Sequence, residues 1–226
     1  MMEGAELCFE GWSGSIHMRT ENLYPGLARR VFSRIPPIGE RIDWERFSDR
    51  KGKPSAVLVP FFPKGDELHL LLLERSAALR RHPGQIAFPG GAREESDRGP
   101  VDTALRETTE ETGISGDAVE VLGILPEVHA FSSDFVLFPV VGFIPYDVFS
   151  EGITPDPAEV QRVLDVPFRS LGNSPKWETF NREGKVLKYP VFPLDDDVII
   201  WGATAWILWN LIRIIDGAVP ERTECP

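Results

Sequence analysis

Cysteine is nearly missing from this chain: Cys8 and Cys225 stand at opposite ends of 226 residues. Two thiols so far apart offer neither a disulfide framework nor a metal-ligand spacing. Positive charge is also scarce. Lys and Arg number 24 against 35 Asp and Glu, for a formal net charge of −11, and this excludes a general nucleic-acid surface, which needs clustered cations. Residues 1–12 are acidic and lack a basic run, so no secretory signal is expected and the expected location is cytoplasmic. No internal repeat or low-complexity segment is visible. Residues 198–215 come closest to a membrane span in length. However, Thr204, Asn210 and Arg213 interrupt them and Asp195, Asp196 and Asp197 abut them, so no membrane span is expected. A helix buried on most sides is expected there, in the core or at a homodimer interface.

The hydrophobic share of 42% is ordinary for a globular protein, and the length allows one sizeable core. The expected division is an N-terminal extension over 1–54 with a short helix at 23–32, a main domain over 55–216 and a tail over 217–226. Residues 56–62 form an apolar, β-branched run between Pro54 and Pro63, and residues 68–73 form a second run across a Lys-Gly-Asp turn. They predict paired strands buried on both faces. Further strands are expected at 86–88, 119–125 and 135–144. A loop at 126–134 holds Glu127, His129 and Asp134, and a short helix or strand edge is expected at 159–168. Residues 176–180 and 186–189 predict a hairpin about Arg182-Glu183-Gly184. Mixed strands with helices on either side make an α+β fold.

Residues 88–114 carry the chemistry. Phe-Pro-Gly-Gly leads through an acidic loop into Thr-Ala-Leu-Arg-Glu-Thr-Thr-Glu-Glu-Thr-Gly-Ile. Val101, Ala104, Leu105 and Thr108 recur at i, i+3, i+4 and i+7, the spacing of a helix stripe that packs on a core. Gly113 suits the helix C-terminus. Glu107, Glu110 and Glu111 form a second stripe, roughly 115° around the axis. As like charges at i, i+3 and i, i+4 they cost about 0.2–0.5 kcal/mol per pair, and the last turn disfavours anions. A divalent cation would turn that repulsion into a binding site, because carboxylate oxygens are the hard ligands that Mg²⁺ takes.

The segment resembles the signature of the Nudix hydrolases, Gly-x5-Glu-x7-Arg-Glu-U-x-Glu-Glu-x-Gly-U with U apolar. Its back half falls on Arg106, Glu107, Thr108, Glu110, Glu111, Gly113 and Ile114. The front half departs: counted from Gly91, the first acid is Asp97 rather than Glu, and eight residues instead of seven separate it from Arg106. In the family that acid is mainly structural. The preceding residues, Glu74-Arg75-Ser76-x-x-Leu79-Arg80-x-His82-x-Gly84-Gln85-Ile86-Ala87-Phe88-Pro89-Gly90-Gly91, resemble the coenzyme A pyrophosphatase group of the family. So do Thr154-Pro155-x-Pro157-x-Glu159-Val160 and Ile200-Trp201-Gly202-Ala203-Thr204-Ala205.

This resemblance implies a Nudix-type α-β-α sandwich with a mixed sheet, and metal-dependent hydrolysis of a diphosphate bond in a nucleotide. The implied cofactor is Mg²⁺ or Mn²⁺, held by Glu107, Glu110 and Glu111 with the Gly90 carbonyl, while Arg106 orients a box glutamate. For the coenzyme A group the products are 3′,5′-ADP and 4′-phosphopantetheine. ADP-ribose, NADH or another nucleoside diphosphate derivative is the alternative substrate, and a nucleotide-binding domain without catalysis is the alternative class. The base that takes the water proton is Glu107 or Glu111, or a loop acid, Glu127 or Asp134. Arg75, Arg80 and His82 are candidate substrate-binding residues, since guanidinium forks suit phosphate oxygens.

Overall fold

The apolar run at residues 56–62 becomes the middle of β1 (Lys53–Lys64), the long central strand of a nine-stranded mixed sheet. In the computed structural model the described residues are 32–37, 43–47, 52–130, 134–172, 174–182, 184–195, 198–218 and 223–225. The helix expected at 23–32 lies outside them, apart from Phe32. β1 pairs antiparallel with β2 (Glu67–Arg75) through the Lys-Gly-Asp turn, and parallel with β7 (Phe135–Phe143) on its other side. The strand runs through Pro54 and Pro63 rather than stopping at them. Pro63 is tolerated because the Phe61 carbonyl accepts the Ile144 N–H. Residue 63 therefore faces the β7 side, beyond the last β7 partner, where a missing N–H breaks no ladder bond.

Side chains alternate across the sheet, and the two faces pack on different helices. Val57, Val59 and Phe61 of β1, with Leu68, Leu70 and Leu72 of β2, join one apolar core with the C-terminal helix. Ala56, Leu58 and Phe62, with Leu71 and Leu73, join the other. That second face carries α1 (Pro100–Thr112) and α2 (Tyr146–Gly152). Burial on both faces is why these strands are continuously apolar rather than alternating. The result is the α-β-α sandwich expected from the sequence.

The remaining elements complete the frame. β3 (Ile86–Ala87) pairs with β2 and β4 (Gly90–Ala92) with β1, while β5 (Glu120–Ile124) pairs with β7. The expected loop at 126–134 contains a strand, β6 (Val128–Ala130), held by β7 and by β12 (Thr223–Cys225). Residues 160–167 settle as strand β8 (Val160–Pro167), antiparallel to β2. β9 (Lys176–Arg182) and β10 (Lys185–Pro193) form the expected hairpin, extended by β11 (Ile199–Ile200).

Helix α3 (Gly202–Ile215) starts later than the apolar run at 198. Ile199 and Ile200 pair with β10, and Gly202 takes a positive φ of 64° at the turn into the helix. Ten of its 14 residues are buried, Trp206 and Asn210 among them. Most of the apolar surface of this helix therefore packs within the chain, as the core alternative expects. Among the described residues no helix is long and apolar enough to cross a membrane.

Candidate active site

The site begins where β4 lies against β1 with Gly90 opposite Val57. Both glycines of the turn permit close approach, Gly90 to backbone and Gly91 to a side chain. A Cβ on Gly90 would sit 2.4 Å from the Ala56 carbonyl oxygen, and one on Gly91 would sit 2.4 Å from the Glu107 carboxylate. The chain then loops to α1, which Pro100 opens and Gly113 closes with φ 77°. Ala104 and Thr108 are fully buried in the stripe expected to pack on the core, and Val101 and Leu105 pack beside them.

Arg106 ties this helix to the glycine strand. Its Nε and Nη2 donate to the two carboxylate oxygens of Asp97 at 3.1 and 3.0 Å, and Nη2 also donates to the Ala92 carbonyl at 3.0 Å. Its Nη1 lies 3.0 Å from Glu107 and 2.9 Å from Glu110. Asp97 is only 4% exposed and further accepts the Thr103 hydroxyl and the Glu94 N–H. Burial works against its charge, but Arg106 and these two donors together hold its pKa below the ordinary carboxylate value. The out-of-register Asp thus sits at the centre of a brace.

The three box glutamates occupy different environments. Glu111 is buried and accepts the Gly90 N–H at 2.9 Å, with Arg75 Nη1 3.7 Å from its other oxygen. Burial pushes its pKa up to about 7 against the pull of Gly90 and Arg75, and the charges of Glu107 and Glu159 push the same way. Glu107 is half-buried and also raised, by burial first, with Arg106 opposing. Glu110 is exposed and held by Arg106. Among the described residues no three acidic, imidazole or thiol side chains converge on one point. The three glutamates are instead held apart by different partners, Glu107 and Glu110 by Arg106 and Glu111 by the Gly90 N–H. The donor set still fits a hard divalent cation, because carboxylate and carbonyl oxygens are all hard ligands and Gly91 leaves Glu107 a cradle that any Cβ would fill.

A cavity of about 690 Å³ opens in front of this frame, a size that suits a nucleotide. Arg75, His82, Gly90 and Glu107 lie on its wall, as does Arg81. Arg80, a candidate from the sequence, is exposed and does not line the cavity. His82 turns the loop with φ 55°, and that loop is closed by the Arg75 N–H donating to the Gln85 carbonyl and the Gly84 N–H donating to the Arg75 carbonyl, both at 3.0 Å. Glu127 and Asp134 are also off the wall. Glu127 is buried where β6 begins, 3.9 Å from His129, and Asp134 gives its carbonyl to the Lys53 N–H. Beside Glu107, Glu159 also reaches the cavity. The antiparallel pairing of β8 with β2 brings it beside Ser76, whose N–H donates to the Glu159 carbonyl at 2.8 Å. Sequence spacing had no means of finding it, although it stands in one of the resembling segments.

Gly91→Ala isolates the cradle. The added methyl displaces the Glu107 carboxylate while the backbone, which is not left-handed at this glycine, is undisturbed. Steady-state turnover is expected to fall at least tenfold, because a displacement of about 1 Å in catalytic geometry is enough for a large loss. The far-UV circular dichroism spectrum is expected to stay unchanged, and turnover within twofold of the unsubstituted protein would remove Glu107 from the site.

A glycine turn locked on an acidic helix thus stands beside a cavity that Arg75 and Arg81 reach. The family model of the NUDIX domain matches residues 52–188, from β1 into β10. A Nudix hydrolase of Cronobacter sakazakii named NudL is 47% identical over 183 residues, covering 80% of this chain and 91% of its own length. Nudix hydrolase 22, chloroplastic, of Arabidopsis thaliana is 37% identical over 180 residues, 76% of this chain and 58% of the relative. A solved MutT/nudix family protein from Enterococcus faecalis aligns with a TM-score of 0.47 at 20% identity, over 76% of this chain and 67% of its own. The chain belongs to the Nudix family. It is a Nudix pyrophosphohydrolase of nucleoside diphosphate derivatives, and such hydrolases in general use a divalent metal.

Proposed function

We propose that this enzyme hydrolyses the diphosphate of coenzyme A or a close relative, giving 3′,5′-ADP and 4′-phosphopantetheine, with Mg²⁺ or Mn²⁺ as cofactor. The observation that carries the reading is that Glu107, Arg75, Arg81 and His82 line one cavity. All four come from the box and from the segment ahead of it that resembles the coenzyme A group. Glu107, Glu110 and Glu111, with the Gly90 carbonyl, would hold the metal, and Glu110 would exchange its Arg106 contact for it. When bound, the cation supplies charge neutralisation on the phosphate oxygens and a more acidic water. Arg75, Arg81 and His82 orient the diphosphate and oppose the charge that builds on the leaving phosphate.

The water oxygen forms a new bond to one phosphorus, the bridging P–O bond breaks, and the leaving phosphate carries the electron pair away. The water proton needs an acceptor on the cavity. Glu159 suits that work better than Glu127, because it reaches the wall and its charge is felt at both Glu107 and Glu111. Glu159→Gln is expected to lower kcat by about 10²–10⁴-fold, the usual worth of a general base, with KM changed little. An unaltered kcat would return the role to Glu107 or Glu111.

The substrate is tested by comparing turnover of coenzyme A, its dephosphorylated form, ADP-ribose and NADH, with Mg²⁺, with Mn²⁺ and with chelator. Preference for coenzyme A, abolished by chelator, is the expected result. Preference for ADP-ribose or NADH would overturn the coenzyme A assignment and leave the metal site in place.

A further inference from the structure

We propose that an aromatic wall of the cavity, Phe180, Tyr189 and Trp201, is a stacking subsite for the substrate's nucleobase. The proposal rests on the nucleotide reading above, but not on the choice of coenzyme A among nucleotides. The wall comes from the C-terminal part of the chain, remote in sequence from the box. Phe180 and Tyr189 share one face of the β9–β10 hairpin, diagonally across the strand pair. Their rings meet edge to face with centroids 5.6 Å apart. The Tyr189 hydroxyl donates to Glu178 Oε2 at 2.8 Å, which fixes the ring and occupies its polar end. Both rings are half-buried on the hairpin yet still face the cavity.

Trp201 adds the third ring. It stands on extended backbone just before α3, lines the cavity and is 49% exposed. An indole left half in solvent at a cavity mouth is a surface that a flat ligand would cover. Three π faces on one wall favour a planar ring over a flexible chain, since every base can stack on an aromatic side chain. Position supports the same choice. β11, which ends next to Trp201, packs beside β3, and β3 follows directly on the loop that carries Arg81 and His82. The aromatic wall and the loop that carries Arg81 and His82 are thus neighbours, as base and phosphate are in a nucleotide with only a ribose between them. A pantetheine arm has no planar ring near its phosphate to use such a pairing.

Calorimetric titration of 5′-AMP and of 4′-phosphopantetheine, with Mg²⁺ present, tests the assignment. In Trp201→Ala the Kd for 5′-AMP is expected to rise about tenfold, within the range seen when a stacking ring is truncated. Trp201→Phe is expected to recover most of that loss, and 4′-phosphopantetheine is expected to bind alike in all three proteins. Phe180→Leu gives a second reading from the hairpin, with thermal melts to verify folding. Unchanged 5′-AMP affinity in Trp201→Ala and Phe180→Leu would overturn the proposal. So would weakened 4′-phosphopantetheine binding with 5′-AMP unaffected, or no measurable 5′-AMP binding to the unsubstituted protein. A preference for ADP-ribose over coenzyme A in turnover would revise the substrate alone, because the 5′-AMP titrations read the base subsite separately.

Discussion

Glu111→Gln is expected to cut turnover by more than about a hundredfold while the fold persists. Loss of a group that merely orients a metal ligand costs about 10- to 100-fold, and a ligand itself should cost more. The amide keeps the shape and can still accept the Gly90 N–H that now meets Glu111 Oε2. What it removes is a buried negative charge facing Glu107 and Glu159. In the metal-free protein, thermal stability is therefore expected to stay equal or to rise slightly. Steady-state kinetics beside thermal melts measure both halves. Normal turnover would remove Glu111 from the metal site, and a collapse in stability would show that the residue serves the fold instead.

Arg106→Met is expected to produce the largest loss of stability of the substitutions considered. The guanidinium bridges α1, Asp97 and the Ala92 carbonyl, and Asp97 is almost wholly buried. Removing one partner of a buried pair leaves an uncompensated charge and costs about 3–5 kcal/mol. For a domain of this size that corresponds to a fall in Tm of roughly 10 °C. Arg106→Lys is expected to recover little, because a single ammonium cannot span the two carboxylate oxygens as the fork does. Asp97→Asn added to Arg106→Met should restore part of the loss. The same pair predicts a pH dependence. Asp97 has a folded pKa below its ordinary 3.8, so its contribution is complete above that value and is lost as pH falls through the lower, folded one. In Arg106→Met that acid-side step should shrink. A Tm within 2 °C of the unsubstituted protein would contradict the brace.

How far the sequence could be read follows from the range of each interaction. The box helix was legible because its signals are local: an i, i+3, i+4 apolar stripe, a closing glycine and carboxylates one turn apart. The two-sided burial of β1 and β2 was legible from their unbroken apolar runs. Gly90 and Gly91 could be placed at a turn, but not the reason for them, which lies in the Ala56 carbonyl and the Glu107 carboxylate across the packing. The choice of Arg81 over Arg80 depends on how a loop with His82 at positive φ turns, and spacing does not encode that. Glu127 looked like a loop acid only because β6 is three residues long and draws its partners from β7 and β12. Glu159 and the Phe180–Tyr189–Trp201 wall reach the site through long-range strand pairing and the C-terminal hairpin. No periodicity in one sequence reports such approaches.

The most direct test of the central claim is a ³¹P NMR spectrum of coenzyme A incubated with the enzyme and Mg²⁺. The expected result is loss of the diphosphate resonances and growth of 3′,5′-ADP and 4′-phosphopantetheine in equal amounts, stopped by chelator and by Glu111→Gln. Intact diphosphate resonances with either Mg²⁺ or Mn²⁺ would contradict the coenzyme A account, as would release of inorganic phosphate in place of the two monoesters.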